Sequence, residues 1–164
     1  MRRTREIVGL PILDVQTGEQ VGWVKDVVFD SKEETVAGLI LEGAHIFHSG
    51  QGITRRAIVA VGKDALTIND SQLTELHGVY WSQKVGNKVF TRGGEAQGTI
   101  EDVFLDDVAM HIVGYEVSDG LFADLFYGRG AIFQNHVMVD GKDVLIVDDR
   151  VSPWDEQYKG GSLS

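Results

Sequence analysis

The sequence predicts an all-β protein built from two tandem copies of one small barrel. Three observations predict it. The chain matches itself at a fixed shift, its apolar residues fall in short Val- and Ile-rich runs cut by turn residues, and no long run sustains a 3.6-residue period.

The self-match is densest over residues 18–30, GEQVGWVKDVVFD, which return 76 positions later as GEAQGTIEDVFLD. Six of the thirteen positions are identical, where composition alone gives about one. They are Gly18/Gly94, Glu19/Glu95, Gly22/Gly98, Asp26/Asp102, Val27/Val103 and Asp30/Asp106. The same shift pairs Gly38 with Gly114. It then becomes 79, pairing Gly62-Lys63-Asp64-Ala65-Leu66 with Gly141-Lys142-Asp143-Val144-Leu145. The second copy therefore carries three extra residues between Val117 and Ile132. A first barrel over 1–76, a second over 77–152 and a C-terminal tail over 153–164 follow as the expected organisation.

In the first copy the expected strands are Ile12 to Val15, Val24 to Phe29, Val36 to Leu41, Ala57 to Val61 and Ala65 to Ile68. Thr17-Gly18, Asp30-Ser31-Lys32, Glu42-Gly43 and Gly62-Lys63-Asp64 separate them. Gly62-Lys63 and Gly141-Lys142 suit tight hairpin turns, because glycine accepts the positive φ such turns need. Five or six strands at this spacing argue for closure into a barrel, which removes exposed edges. A barrel of this size buries only ~60% of the surface of its unfolded chain, so the two copies are expected to share an interface. Between them, Ser71 can cap one helical turn through Leu73 and Leu76, ended by Gly78, with Tyr80 and Trp81 pinning the linker to a barrel. In the longer loop of the second copy, Asp119 can cap a short helix running to Tyr127 and closed by Gly128. Trp154 and Tyr158 can dock the tail, and Gly160 to Ser164 reads as disordered.

Composition narrows the function. With no Cys among 164 residues, a disulfide scaffold, a thiolate metal site and a cysteine nucleophile are excluded. The longest apolar stretch, Val36 to Leu41, is far below the ~20 residues of a membrane span or the ~7 of a signal core. No integral membrane segment and a cytoplasmic location are expected. Lys plus Arg is 15 and Asp plus Glu 25, a net charge of −10. The first 76 residues carry 8 basic and 11 acidic groups, the remainder 7 and 14. Basic groups cluster only at Arg2-Arg3-Arg5 and Arg55-Arg56, so direct nucleic-acid binding is disfavoured and a basic protein partner is favoured.

The pattern G-E-x-x-G-x-(V/I)-x-D-V-x-x-D, an apolar strand containing glycine and a closing G-K-D-(apolar)-L resembles the PRC-barrel domain in both copies, over roughly residues 5–150. The stretch SDGLFADLFYGR, Ser118 to Arg129, is similar to the second copy of stand-alone tandem PRC-barrel proteins of bacteria. The resemblance implies small SH3-like β-barrels that dock on partners and carry no catalytic residues. Relatives include the barrel of the photosynthetic reaction-centre H subunit and that of the ribosome maturation factor RimM. The membrane helix of the former and the RNA-associated domain of the latter have no match here, so those two functions are not expected.

The residues themselves give no catalytic constellation and no cofactor signature. Gly18-Gly22 and Gly128-Gly130 do not open a helix within a βαβ unit, so they read as turns and barrel corners rather than phosphate loops. The repeated positions Gly22/Gly98, Gly38/Gly114 and Asp26/Asp102 read as structural, the aspartates as strand-end acceptors of backbone N–H groups. His45 and His48 lie three apart, but zinc needs three or four convergent ligands, and no third ligand stands at a telling distance. Ser49 beside His48 lacks a nucleophile elbow. Phe122 and Tyr127 have no aromatic counterpart in the first copy and are followed by Arg129, the composition of an interface hot spot. Phe126 aligns with Phe47 and reads as core; Trp23 against Thr99 reads as a residue facing the other copy.

The expected function is a non-catalytic protein-docking module contacting its partner through Phe122, Tyr127 and Arg129. A ribosome-assembly or RNA-processing accessory role, and small-molecule or metal binding between the barrels, are the alternatives. An enzyme is the least expected reading, and homodimerisation stays open.

Overall fold

Each half is organised by one long strand whose two ends have different surroundings. A computed structural model describes residues 1–43, 50–107, 110–118 and 130–150. In chain order the first half contains β1 (Arg2–Arg3), β2 (Pro11–Asp14), β3 (Gln20–Asp30), β4 (Thr35–Glu42), β5 (Gln51–Thr54), β6 (Ile58–Val61), β7 (Leu66–Ile68) and β8 (Thr74–Glu75). The second follows with β9 (Val79–Tyr80), the helical turn α1 (Trp81–Lys84), β10 (Lys88–Thr91), β11 (Ala96–Leu105), β12 (Ile112–Ser118), β13 (Gly130–Phe133), β14 (Val137–Asp140) and β15 (Val144–Val147). Single 3₁₀ turns at Thr4–Glu6, Arg55–Ala57 and Gln134–His136 link neighbouring strands.

Trp23 and Lys25 face solvent along the early part of β3 while Val24 points inward, the alternation of a sheet with one wet face. After a bulge at Lys25 the strand is buried continuously from Asp26 to Phe29, because its outer face meets the other half. β11 repeats this, with a bulge at Glu101 followed by continuous burial from Asp102 to Leu105. That is why Val27-Val28-Phe29 and Val103-Phe104-Leu105 are unbroken apolar runs.

The strands form two curled sheets, the tandem small β-barrels expected. The first runs β6-β7-β2-β3-β4-β5-β8 and the second β13-β12-β11-β10-β15-β14. The one parallel contact within each, β2 with β7 and β10 with β15, falls at equivalent places. Two of the three two-residue strands cross over. β1 pairs with β11 of the second half, and β9 pairs with β3 of the first. The registers match: Arg3 lies opposite Phe104 as Tyr80 lies opposite Val28. Each half thus lends its leading segment to the other.

A third symmetric contact lies at the hairpin tips. The Val36 amide donates to the Met110 carbonyl at 3.0 Å, and the Ile112 amide donates to the Glu34 carbonyl at 2.8 Å. Glu34 and Met110, the equivalent residues at the two turns, are the two non-glycine residues with positive φ among the described residues. A single apolar cluster runs through both halves and includes Ile7, Phe29, Leu39, Leu105 and Tyr115.

Two details differ from the sequence reading. The linker turn expected from Ser71 to Gly78 is not helical. Its backbone is paired elsewhere, Leu76 N–H donating to the Gly50 carbonyl at 3.0 Å and β8 pairing with β5, and the helical turn begins beyond Gly78, at Trp81, as α1. β5 is an additional strand, hidden in the sequence because only Ile53 of its four residues is large and apolar. The helix expected from Asp119 to Tyr127 and the tail residues Trp154 and Tyr158 lie outside the described residues.

Candidate functional site

β6 ends the first sheet, so one side of its backbone has no strand neighbour among the described residues. The turn before it buries Ala57 and leaves Arg55 and Arg56 exposed, which sets both guanidinium groups at the start of that open edge. All four residues of β6 and both arginines line a cavity of about 510 Å³, bounded across the junction by Asp107 and Met110 of the second half. Val59 is 53% exposed within it. A second cavity of about 360 Å³ shares the arginines and is bounded by Thr35, Val36, Ala37 and His111, with Asp30 and Glu33 at its rim.

Two of the three rim carboxylates, Asp107 and Asp30, are engaged already. Asp107 accepts from the Met1 ammonium group at 2.6 Å and lies 3.9 Å from the Arg2 guanidinium. Asp30 accepts the Lys32 and Glu33 amides at 2.9 and 3.2 Å. Arg56 makes no hydrogen bond or ion pair among the described residues. Among the described residues the cleft therefore offers an available cation, an apolar wall and an unpaired main-chain edge, which is equipment for binding.

A second polar group is buried in the barrel of the second half. Lys84, only 1% exposed, donates to Asp140 Oδ1, and the Tyr115 hydroxyl donates to Asp140 Oδ2 at 2.5 Å. The Lys84 ammonium group lies 5.6 Å from the centre of the Tyr115 ring and 6.0 Å from that of Phe29. Burial, and then the negative charge of Asp140, push the Tyr115 phenol well above its ordinary pKa of 10.0. Lys84 and Tyr115 are closed to solvent, and only Asp140 reaches it, with 10% of its side chain exposed. The group holds structure.

The repeated aspartates clasp the halves together. Asp26 Oδ1 accepts the Val27 amide at 2.9 Å and the Ser82 amide at 3.2 Å, and its Oδ2 accepts the Ser82 hydroxyl. Asp102 accepts the Val103 amide at 2.7 Å, the Trp81 indole N–H at 2.8 Å and the Arg5 guanidinium at 2.7 Å. Both stand just after the bulges inside the long strands, not at strand ends, because the bulge aims the carboxylate at the segment lent by the other half. Arg3 extends the second clasp to fully buried Glu116 at 3.0 Å.

The repeated glycines are places where chains touch. A Cβ on Gly38 would stand 2.2 Å from the Ile53 carbonyl oxygen, and one on Gly114 2.6 Å from that of Ile132. Gly22 and Gly98, at φ +152° and +136°, would meet the Glu42 and Ser118 carbonyls at 2.6 and 2.3 Å. Trp23, expected against the other copy, is instead 48% exposed opposite Pro11 and Glu42, because it precedes the bulge after which β3 turns both faces inward.

Phe122, Tyr127 and Arg129 lie outside the described residues, as do His45, Phe47, His48, Ser49 and Phe126. Among the described residues no group of three or more His, Asp or Glu is placed to hold a metal ion, and no helix is long and apolar enough to cross a membrane. The sequence reading passed over Arg55 and Arg56 as a mere basic pair. A signal was available. At the shift of 79 they correspond to Gln134 and Asn135, so the charge belongs to one copy only.

Comparison with known proteins agrees with this architecture. Residues 1–74 and 77–155 each match the PRC-barrel domain. The chain belongs to the PRC-barrel family and holds two such domains in tandem. It is also 26% identical over 154 residues to the uncharacterized protein YrrD of Bacillus subtilis (strain 168), a match spanning 90% of this chain and 88% of that protein.

Proposed function

We propose that this tandem PRC-barrel chain is a non-catalytic docking module that seats a segment of a protein partner in the cleft between its two halves. The observation that carries the reading is the 510 Å³ junction cavity, in which an open strand edge, exposed Val59 and exposed arginines converge. Bound segments gain affinity from main-chain pairing and specificity from flanking side chains. Aromatic and Arg residues dominate interface energies, so Phe122, Tyr127 and Arg129 are proposed as an additional contact.

The test places a photo-crosslinking amino acid at Val59 in the full chain. It is expected to capture a discrete protein, whose crosslinked peptide is read by mass spectrometry. The purified partner should then bind the native chain and lose at least about tenfold in affinity to a chain carrying Val59→Asp, since a buried unpaired charge costs well over ~1.4 kcal/mol. Failure to capture a partner, or a partner indifferent to Val59→Asp, overturns the reading. Phe122→Ser with Tyr127→Ser in the same assay measures the additional contact.

A further inference from the structure

The chemistry of the cleft restricts what it can take. The partner-facing strand is β6, and four residues expose about 13 Å of main chain to an added strand at the usual rise. Its inner side is already paired with β7, Ile58 opposite Ile68 and Val61 opposite Leu66. The open side therefore presents its own N–H and C=O groups to the cavity. Beside its first residue stand the exposed arginines, one of which, Arg56, has no acidic partner among the described residues. Beyond them lie Val59 and, across the junction, Met110.

Charge then selects the occupant. The whole chain carries −10, which favours a basic partner at long range. Within the 510 Å³ cleft the sign is reversed, because its charged lining residues are Arg55, Arg56 and Asp107, and Asp107 is already held by the Met1 ammonium group beside Arg2. Screening confines the unfavourable long-range field to about 8 Å at physiological ionic strength, so contact chemistry decides recognition. Carboxylates make paired, charge-assisted hydrogen bonds to guanidinium groups. The other half has Gln134 and Asn135 at these positions and lacks this preference.

Resting on the docking reading above, we propose that the junction cleft takes an extended acidic segment of a partner protein as an added strand on β6, a carboxylate on Arg56 and an apolar side chain against Val59 and Met110. The segment is continuous and extended, since pairing along a single open strand edge needs an extended backbone.

The test selects a random octapeptide phage library on the immobilised full chain and counter-selects on full-length Arg56→Glu, an exposed change that leaves the core intact. The expected result is enrichment of peptides with Asp or Glu flanking an apolar residue, losing about tenfold or more in affinity on Arg56→Glu, as expected for one charge-assisted contact. Amide resonances of Ile58 to Val61 in the ¹⁵N-labelled native chain should shift with the best peptide. Enriched peptides that are basic or neutral, that ignore Arg56→Glu, or that shift amides elsewhere overturn the proposal. So does self-association of the chain that already covers β6. A partner crosslinked at Val59 through a basic or folded surface would leave docking standing and remove the acidic strand. No capture at Val59 would remove both.

Discussion

The two halves share a backbone and solve the same packing problem with opposite chemistry. At one end of the first barrel stand Ile7, Leu39 and Val61; at the equivalent positions of the second stand Lys84, Tyr115 and Asp140. Ile7 and Leu39 belong to the continuous apolar cluster, with Val61 packed against it. Their counterparts form a buried ion pair with a phenol. The clasps differ likewise. Asp26 is met by neutral Ser82, whereas Asp102 is met by charged Arg5 and by the Trp81 indole. A repeat fixes where a side chain goes and leaves open how it is satisfied.

The sharpest way to break the comparison is to remove one member of the buried group. Lys84→Ile copies the first half at one position but leaves the largely buried Asp140 carboxylate without its cation. A loss of about 3–5 kcal/mol is expected, because breaking a buried pair leaves an uncompensated charge. The triple change Lys84→Ile, Tyr115→Leu, Asp140→Val writes the first-half solution into the second half. It is expected to recover most of that loss, since well-packed apolar replacements of buried ion pairs are often neutral or better, within ~1–2 kcal/mol here. Urea unfolding midpoints read both. A single Lys84→Ile as stable as the native chain would show the ion pair to be dispensable.

The clasps give a smaller and equally directed contrast. Asp102→Ala deprives the Trp81 indole, the Val103 amide and Arg5 of their acceptor, and a loss of about 2–3 kcal/mol is expected. Asp26→Ala deprives only neutral donors and should cost about 1–2 kcal/mol. Equal losses would mean that Arg5, which is 39% exposed, draws no net stability from its carboxylate.

What the sequence revealed of this arrangement follows from the range of the forces. The long strands, the glycines at crossing points and the duplication are written in local pattern, so Val24 to Phe29, Gly38 and Asp26 stood out. The exchange of β1 and β9 was not legible. Arg2–Arg3 and Val79–Tyr80 are two-residue strands with no periodicity, and only a partner in the other half makes them strands. The cleft was invisible for the same reason, since Val59 and Met110 are 51 residues apart and meet only through the junction. Lys84 was hidden because its neighbour Tyr115 lies 31 positions away and a lysine in a linker reads as solvated. The one usable trace was asymmetry between copies, Ile7 against Lys84 and Arg55-Arg56 against Gln134-Asn135.

The smallest effect concerns pH and isolates Tyr115. Its phenol is held above the ordinary value of 10.0, by burial first and the Asp140 charge second. An unfolded tyrosine loses its proton near pH 10 while the folded one keeps it, so the unfolded state binds fewer protons in that window. Stability therefore falls as pH rises above about 10, and the contribution is complete below that value. Tyr115→Phe removes the titrating group, so its unfolding midpoint should decline less between pH 9.5 and 11 than that of the native chain, by the share this one proton contributes. Absorbance near 295 nm gives the direct reading, with one of the four tyrosines ionising only as the fold is lost. The first barrel has Leu39 at this place, where nothing titrates. An unchanged decline in Tyr115→Phe would assign it to other groups and remove the phenol from the comparison.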